Sequence, residues 1–458
     1  MTDKTQNSLN GHGSQARLRA AIRRILPGGA HVAGSEGLEK TQLKLGIVPL
    51  TDAAPIIIGA ERGYFARHGL DVEISREPSW ANIRDKVAVG ALDAAHMLAP
   101  MPLAMTLGLG GLGQPMVTAL VMNLNGNAVT VSNALYDEMC AADPEAMTTR
   151  PLTAKALKAV ITARRAKNEE PLTFAMVFPF SSHNYELRYW MASAGIDPDA
   201  DVKLVVVPPP QMVAHLSAGR IDGFCVGEPW NTNAVQHGFG RILITSSEIW
   251  NGRPEKVLGV TKRWAEENPN THRALLRGLI EAAKWLGDMA HRPRAAQILA
   301  TPAYTNASLD HVLPSLTGNL RLAQGEPPQF FPDFNVFYRN AATFPWRSQA
   351  LWFIAQMKRW RQIDDLAAAK IAARDVFQPD LYRAAAGELG IPAPMVNEKI
   401  EGVHDQAWVL RDATRRIAMG PDRFFDKEIF DPSDVEGYLA RQSVPAAAQE
   451  GDVGATRA

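Results

Sequence analysis

Four side chains in this sequence are of types that can donate to a small anion: the indole of Trp80, the amide of Asn127, the imidazole of His183 and the ammonium of Lys256. All four donate hydrogen bonds, and Lys256 adds a charge. Trp80 follows Ser79, a residue suited to capping a helix. Its indole therefore stands beside the free N–H groups of a first turn, which attract anions together with the helix dipole; packing on a sheet edge is the alternative reading. His183 falls at a helix start after Pro179, Ser181 and Ser182, where its outer nitrogen can donate to an anion. Ser181 and Ser182 are themselves caps or donors. Asn125-Gly126-Asn127 reads as a turn from which Asn127 can direct its amide inward. Lys256, after Pro254-Glu255, is either the only cation of a pocket or one more surface lysine. No Ser/His/Asp, Cys/His or paired-carboxylate set has a spacing suited to catalysis, so binding without turnover is expected, with no cofactor and no metal.

The elements that must position these residues occur twice. Leu43 to Pro100 and Leu172 to Pro229 repeat one another at a constant offset, which matches Gly90, Leu92, Asp93 and Pro100 with Gly219, Ile221, Asp222 and Pro229. In the first copy Leu43–Val48 alternates as a strand, and Ala53–His68 carries apolar residues at helical spacing up to Gly69, a C-cap. Strand Asp71–Ile74 follows, then a short helix capped by Ser79 and closed by Gly90, then strand Leu92–Leu98. The second copy gives strand Leu172–Phe178, helix Ser182–Ala194, strand Val202–Val207, helix Gln211–Ala218 and strand Ile221–Val226. Each copy is a βαβαβ unit, whose crossovers imply parallel sheets with ligands beyond the carboxyl ends of the strands. Two such halves enclose a cleft. Asp52, Ser79, Ser181, Ser182, Pro209, Glu228 and Pro229 are its further candidates, beside Trp80, Gly126, Asn127, His183 and Lys256.

The expected organisation is an α/β protein of two lobes. The first takes 41–125 plus 236–440 with a helical C-terminal extension, including a strand Arg241–Thr245; the second takes 126–235. A disordered leader (1–40) and a disordered tail (441–458) flank them. Arg347–Arg361 is helical, with Phe353, Met357 and Trp360 on one face for the core or for a partner. Gly108 to Gly113 matches the dinucleotide fingerprint letter for letter. It follows a helical stretch and not a strand, however, and reads as a helix end and turn.

Apolar residues make up 46% of the 458, enough to fill two or three domain cores, while 48 basic residues balance 48 acidic ones. That balance excludes electrostatically driven binding to nucleic acid or to an anionic membrane. Cys140 and Cys225 suggest neither a disulfide framework nor a zinc site, and no apolar run is long enough to span a bilayer. Arg17, Arg19, Arg23 and Arg24 precede Ala30-His31-Val32-Ala33 with only Ile25 to Gly29 between them, too short for the apolar core of an export signal. A cytoplasmic protein is therefore expected, with a periplasmic or membrane-associated one as the alternative.

Pro49-Leu50-Thr51-Asp52-Ala53-Ala54-Pro55, Pro78-Ser79-Trp80, the stretch Ala95 to Pro102, Pro208 to Val213 and Asp222 to Trp230 resemble the nitrate and bicarbonate solute-binding proteins of ABC importers. The same pattern marks their cytosolic relatives, nitrate and nitrite sensors that hold an antiterminator. The likeness runs from about Gln42 to about Leu439. It implies a two-lobed periplasmic-binding-protein-like fold of type II that closes on one oxyanion, with Trp80, Asn127, His183 and Lys256 as the ligand set by motif. Asn127 stands where the importers' nitrate binders carry Gln, one methylene shorter. Bicarbonate binders carry a carboxylate at the Lys256 position. Nitrate has acceptors and no donor, so donors and one ammonium, with no placed acceptor, satisfy it. Nitrate or nitrite is thus the expected ligand, with Trp80 and His183 meeting only around it. The expected role is a cytosolic sensor whose closure releases an RNA-binding antiterminator. The alternative is the substrate-binding component of a nitrate importer, working with a permease and an ATPase.

Overall fold

Alternate apolar residues give β1 (Gln42–Ile47) a buried face of Leu43, Leu45 and Ile47. It is the centre of a parallel trio, with β2 (Asp71–Arg76) on one side and β3 (Ala94–Leu98) on the other. The crossovers are α1 (Ala54–Glu61), with a separate turn Tyr64–Arg67, and α2 (Trp80–Ala88). The single helix expected over 53–68 is broken because Gly63 takes a left-handed φ of 72°. The chain next forms β4 (Val121–Asn125), crosses at Gly126 into a second sheet as β5 (Asn127–Ser132), and builds the second trio there. That trio is β6 (Thr173–Met176), β7 (Lys203–Val206) and β8 (Gly223–Gly227), with α3 (Ser182–Ser193) leaving β6. After β9 (Gly240–Thr245), the return crossing leads to β10 (Pro254–Thr261) in the first sheet.

The repeat has a visible physical basis. Asp93 Oδ2 accepts from Lys44 N–H at 2.9 Å, and its counterpart Asp222 accepts from Thr173 N–H at 2.7 Å. In each lobe the aspartate thus ties the end of the last crossover to the start of the central strand.

Two expectations are corrected. The sheets are mixed: β10 runs antiparallel beside β3, and β5 antiparallel beside β8, so each parallel trio is flanked by a strand that has just crossed from the other lobe. The strand expected at Arg241–Thr245 in the first lobe pairs with β5, which moves the end of the second lobe past Thr245.

The structure, a computed structural model, describes residues 37–111 and 113–442. The expected leader before residue 37 and tail after 442 lie outside the described residues. Residues 37–40, also assigned to the leader, are tied down: Glu39 accepts from Thr271 N–H at 2.9 Å, and Lys40 N–H donates to Thr271 Oγ1 at 3.0 Å. Arg441, assigned to the tail, closes the helix Val435–Arg441. No helix among the described residues is long and apolar enough to cross a membrane.

Beyond β10, helix α4 (Pro269–Gly287) buries Leu275, Leu279 and Leu286 against the first lobe, and α5 (Arg347–Arg359) is buried along nearly its whole length. Phe353, Met357 and Trp360 are core residues. The extension also reaches the second lobe. The Tyr185 hydroxyl of α3 donates to Gln362 at 2.7 Å, that of Tyr189 to Asp426 at 2.9 Å, and Tyr189 packs on Trp352 and Phe424.

Candidate functional site

The amino end of α2, capped by Ser79 through the Asn82 N–H, holds Trp80 in the cleft. Its ring is tilted against His96 of β3 at 5.2 Å between centroids, and the Lys256 ammonium stands 5.4 Å from its centre. Lys256 projects from β10, where that strand passes between β3 and β4. Its Nζ pairs with Asp52 Oδ2 at 2.7 Å and with the Glu255 carboxylate. The other Asp52 oxygen lies 2.9 Å from His96 Nε2.

The second lobe supplies the facing wall. Ser181 caps α3 by accepting from Asn184 N–H at 3.0 Å, Ser182 Oγ donates to Glu255 at 2.5 Å, and His183 Nε2 lies 3.4 Å from the same carboxylate. One turn along α3, Glu186 Oε1 is 2.6 Å from Arg253 Nε, while its Oε2 accepts from Asn127 Nδ2 at 3.2 Å. Arg253, on the return crossing, also pairs with Glu255. Every residue of this cluster is at most 1% exposed, so the cluster is closed to solvent in this structure. The lobes meet in this structure: Thr51 N–H donates to the Glu228 carbonyl at 2.9 Å, and Arg84 lies 5.8 Å over the Phe178 ring.

The charges follow from these contacts. Burial pushes the Asp52 carboxyl up, but the Lys256 ammonium and the His96 ring outweigh it and hold Asp52 below its ordinary value. Glu255 is held well below, burial being overcome by Lys256 and Arg253. Burial carries Glu186 up to about 7 against the pull of Arg253. Burial also depresses both imidazoles, His183 to about 3, so each is neutral near pH 7 and keeps one N–H donor. Trp80 Nε1, both His183 nitrogens and Asn127 Oδ1 are buried without a hydrogen-bond partner. An unmet buried polar group costs about 1–3 kcal/mol. The Trp80 indole and one His183 nitrogen are thus free donors, while Asn127 Oδ1 and the other His183 nitrogen are free acceptors.

The structure thus brings Trp80, Asn127, His183 and Lys256 together, with Asp52 and Ser182 from the wider set. The others act differently. Gly126 is the pivot of the first crossing (φ 97°), where a Cβ would stand 3.3 Å from the Asn123 and Asn335 side chains. Ser79 and Ser181 are caps, and the Glu228 carboxylate accepts from Thr232 N–H at 3.1 Å. Pro209 starts a 3-10 turn, and Pro229 precedes the helix Trp230–Gln236. Gly108 to Gly111 end the helix Met101–Thr106 in a turn, as expected, with Leu112 outside the described residues.

Two expectations are overturned. Lys256 is not the only cation, because Arg253 is buried beside it. The site has placed acceptors in Asp52, Glu186 and Glu255. Trp80, the remaining member of the set, is 1% exposed against His96 and the Lys256 ammonium. Of the residues missed, Glu186 was within reach, since it shares a helix face with His183 three residues earlier. Glu255 was hidden by strand alternation, which puts neighbours on opposite faces. The β10–β4 register shifts on both sides of Lys256, and this irregularity lets both side chains enter one cluster. His96 was hidden inside an apolar strand.

Residues 36–300 match the NMT1-like family. The chain is 39% identical over 417 residues to the nitrate import ATP-binding protein NrtC of Synechocystis sp., which covers 91% of this chain and 57% of that protein. It is 40% identical over 357 residues to the bicarbonate transport ATP-binding protein CmpC of the same organism, covering 77% of this chain and 51% of that one. It therefore spans about half the length of these two relatives. Among solved structures, the periplasmic nitrate-binding protein NrtA from Synechocystis PCC 6803 superposes with a TM-score of 0.77 at 30% identity, over 89% of this chain and all of that one. The periplasmic-binding-protein-like α/β fold expected from the sequence is the fold found.

Proposed function

Since the chain belongs to the NMT1-like family, close to the nitrate-binding proteins of ABC importers, we propose that it is the nitrate-binding component of such an importer. The observation that carries this reading is the convergence of Trp80, Asn127, His183 and Lys256, from both lobes, on one buried point where the Trp80 indole and a His183 N–H have no partner. The protein binds and releases without turnover. It works outside the cytoplasm and hands its ion to a permease driven by an ATPase. This reading replaces the cytosolic sensor with an antiterminator partner, because the matched relatives are import proteins. Nitrate and bicarbonate relatives match at 39% and 40% identity, so overall likeness does not choose the ligand; a lysine at position 256, where the motif resemblance puts a carboxylate in bicarbonate binders, supports nitrate or nitrite.

Calorimetric titration with nitrate, nitrite and bicarbonate tests this. Nitrate or nitrite should bind at one site per chain, with bicarbonate weaker than both. Tighter binding of bicarbonate would overturn the ligand, and cell fractionation that finds the native chain in the cytosol would overturn the importer role.

A further inference from the structure

We propose that this site takes up its oxyanion together with a proton, and that Glu186 holds the proton. The inference rests on the anion-binding reading above and concerns how that binding is regulated. Two cations, Lys256 and Arg253, face three carboxylates, Asp52, Glu186 and Glu255, in a cluster that is at most 1% exposed. With all three ionised the cluster is already negative, and an entering monoanion adds a second uncompensated charge where water cannot screen it. A proton from solvent removes that excess.

The contacts single out the carboxylate that accepts it. Asp52 has Lys256 on one oxygen and His96 on the other. Glu255 has Lys256, Arg253, the Ser182 hydroxyl and His183 around it. Glu186 has one cation, on Oε1. Its Oε2 faces only the Asn127 amide at 3.2 Å and the Cys225 thiol at 3.8 Å. The remaining charged groups that act on it are Glu255 and Lys256 of β10, and His183 lies one turn earlier on its own helix. Burial has already brought this carboxyl up to about 7.

Protonation also changes what Asn127 offers. At present its Nδ2 is spent on Glu186 while Oδ1 is buried without a partner, and a Cβ on Gly227 would lie 3.4 Å from both Asn127 Oδ1 and Asp52 Oδ2. A neutral Glu186 gains an O–H donor. A half-turn of the amide lets Asn127 Oδ1 accept it and swings Nδ2 toward the Lys256–Asp52 pair, where it donates to the anion.

Nitrate stays ionised across the working range, so every proton counted belongs to the protein. Titrating nitrate at pH 6 to 9, in pairs of buffers with different ionisation enthalpies, should show uptake approaching one proton per nitrate at pH 8. Affinity should be full below pH about 7 and fall about tenfold per pH unit above it, because the bound form holds the proton more tightly than the free form. Glu186→Gln, a mimic of the protonated acid, should bind without proton uptake, independently of pH, and more tightly than the natural chain at pH 8.5. Nitrate binding with no proton taken up overturns this inference and leaves the function standing, as does a pH profile unchanged by Glu186→Gln. Should that variant not fold, the proton count of the natural chain decides alone. Absence of nitrate and nitrite binding at every pH overturns both.

Discussion

Lys256→Glu is expected to abolish nitrate binding and to lower the stability of the folded chain by about 3–5 kcal/mol, the range found when one partner of a buried ion pair is removed. The ammonium lies against Asp52 and Glu255 and 5.4 Å from the centre of the Trp80 ring, with none of the four side chains more than 1–2% exposed. Its removal leaves Asp52 without its cation and Glu255 with Arg253 alone, and the new glutamate adds a further negative charge at the point where the anion must sit. Titration calorimetry should show no nitrate heat, and urea unfolding should give the stability loss. Lys256→Met separates the two effects: it should show a comparable loss of stability and retain, if any, only weak nitrate binding, because the donors of Trp80 and His183 remain without the charge. Natural affinity in Lys256→Glu would place the ion elsewhere.

The second large effect belongs to the return crossing. Trp250→Ala should lower stability by about 3–5 kcal/mol, as for other buried tryptophans cut to alanine. The indole is 1% exposed, stacks on Phe424 at 4.6 Å between centroids, packs on Trp352 at 5.0 Å, and donates from Nε1 to Asp422 at 2.8 Å. Asp422 in turn pairs with Lys399, whose side chain is 11% exposed. Around it, Phe425 N–H donates to the Ile249 carbonyl at 2.9 Å and Arg423 N–H to the Asn251 side chain at 3.0 Å. The C-terminal extension therefore grips the return crossing between the lobes. Denaturant unfolding measures the loss, and hydrogen exchange should rise in 421–430 ahead of β1. A change under about 1 kcal/mol, within the range of surface substitutions, would show that the extension does not brace the crossing.

The sequence by itself determined the repeat and therefore the two lobes, because Asp93 and Asp222 perform one backbone task at one place in each copy, and local periodicity and caps reach no further than a few residues. Ser79 and Ser181 were legible as caps for the same reason, and they set Trp80 and His183 at helix starts. The motif resemblance carried Asn127 and Lys256 as well. Tertiary structure alone decided three things. It decided that β9 belongs to the second sheet, since strand pairing is a choice among distant partners that alternation does not encode. It decided that the extension binds both lobes, since an apolar helix face does not name what it packs on. It decided the character of the site, because Asp52, Glu186 and the neighbouring pair Arg253 and Glu255 are far apart in sequence and are brought together only by the fold. Once they are enclosed, burial and proximity, and not residue type, set which of them are charged, and the donors read from the sequence become one side of an ionic cluster of two cations and three carboxylates.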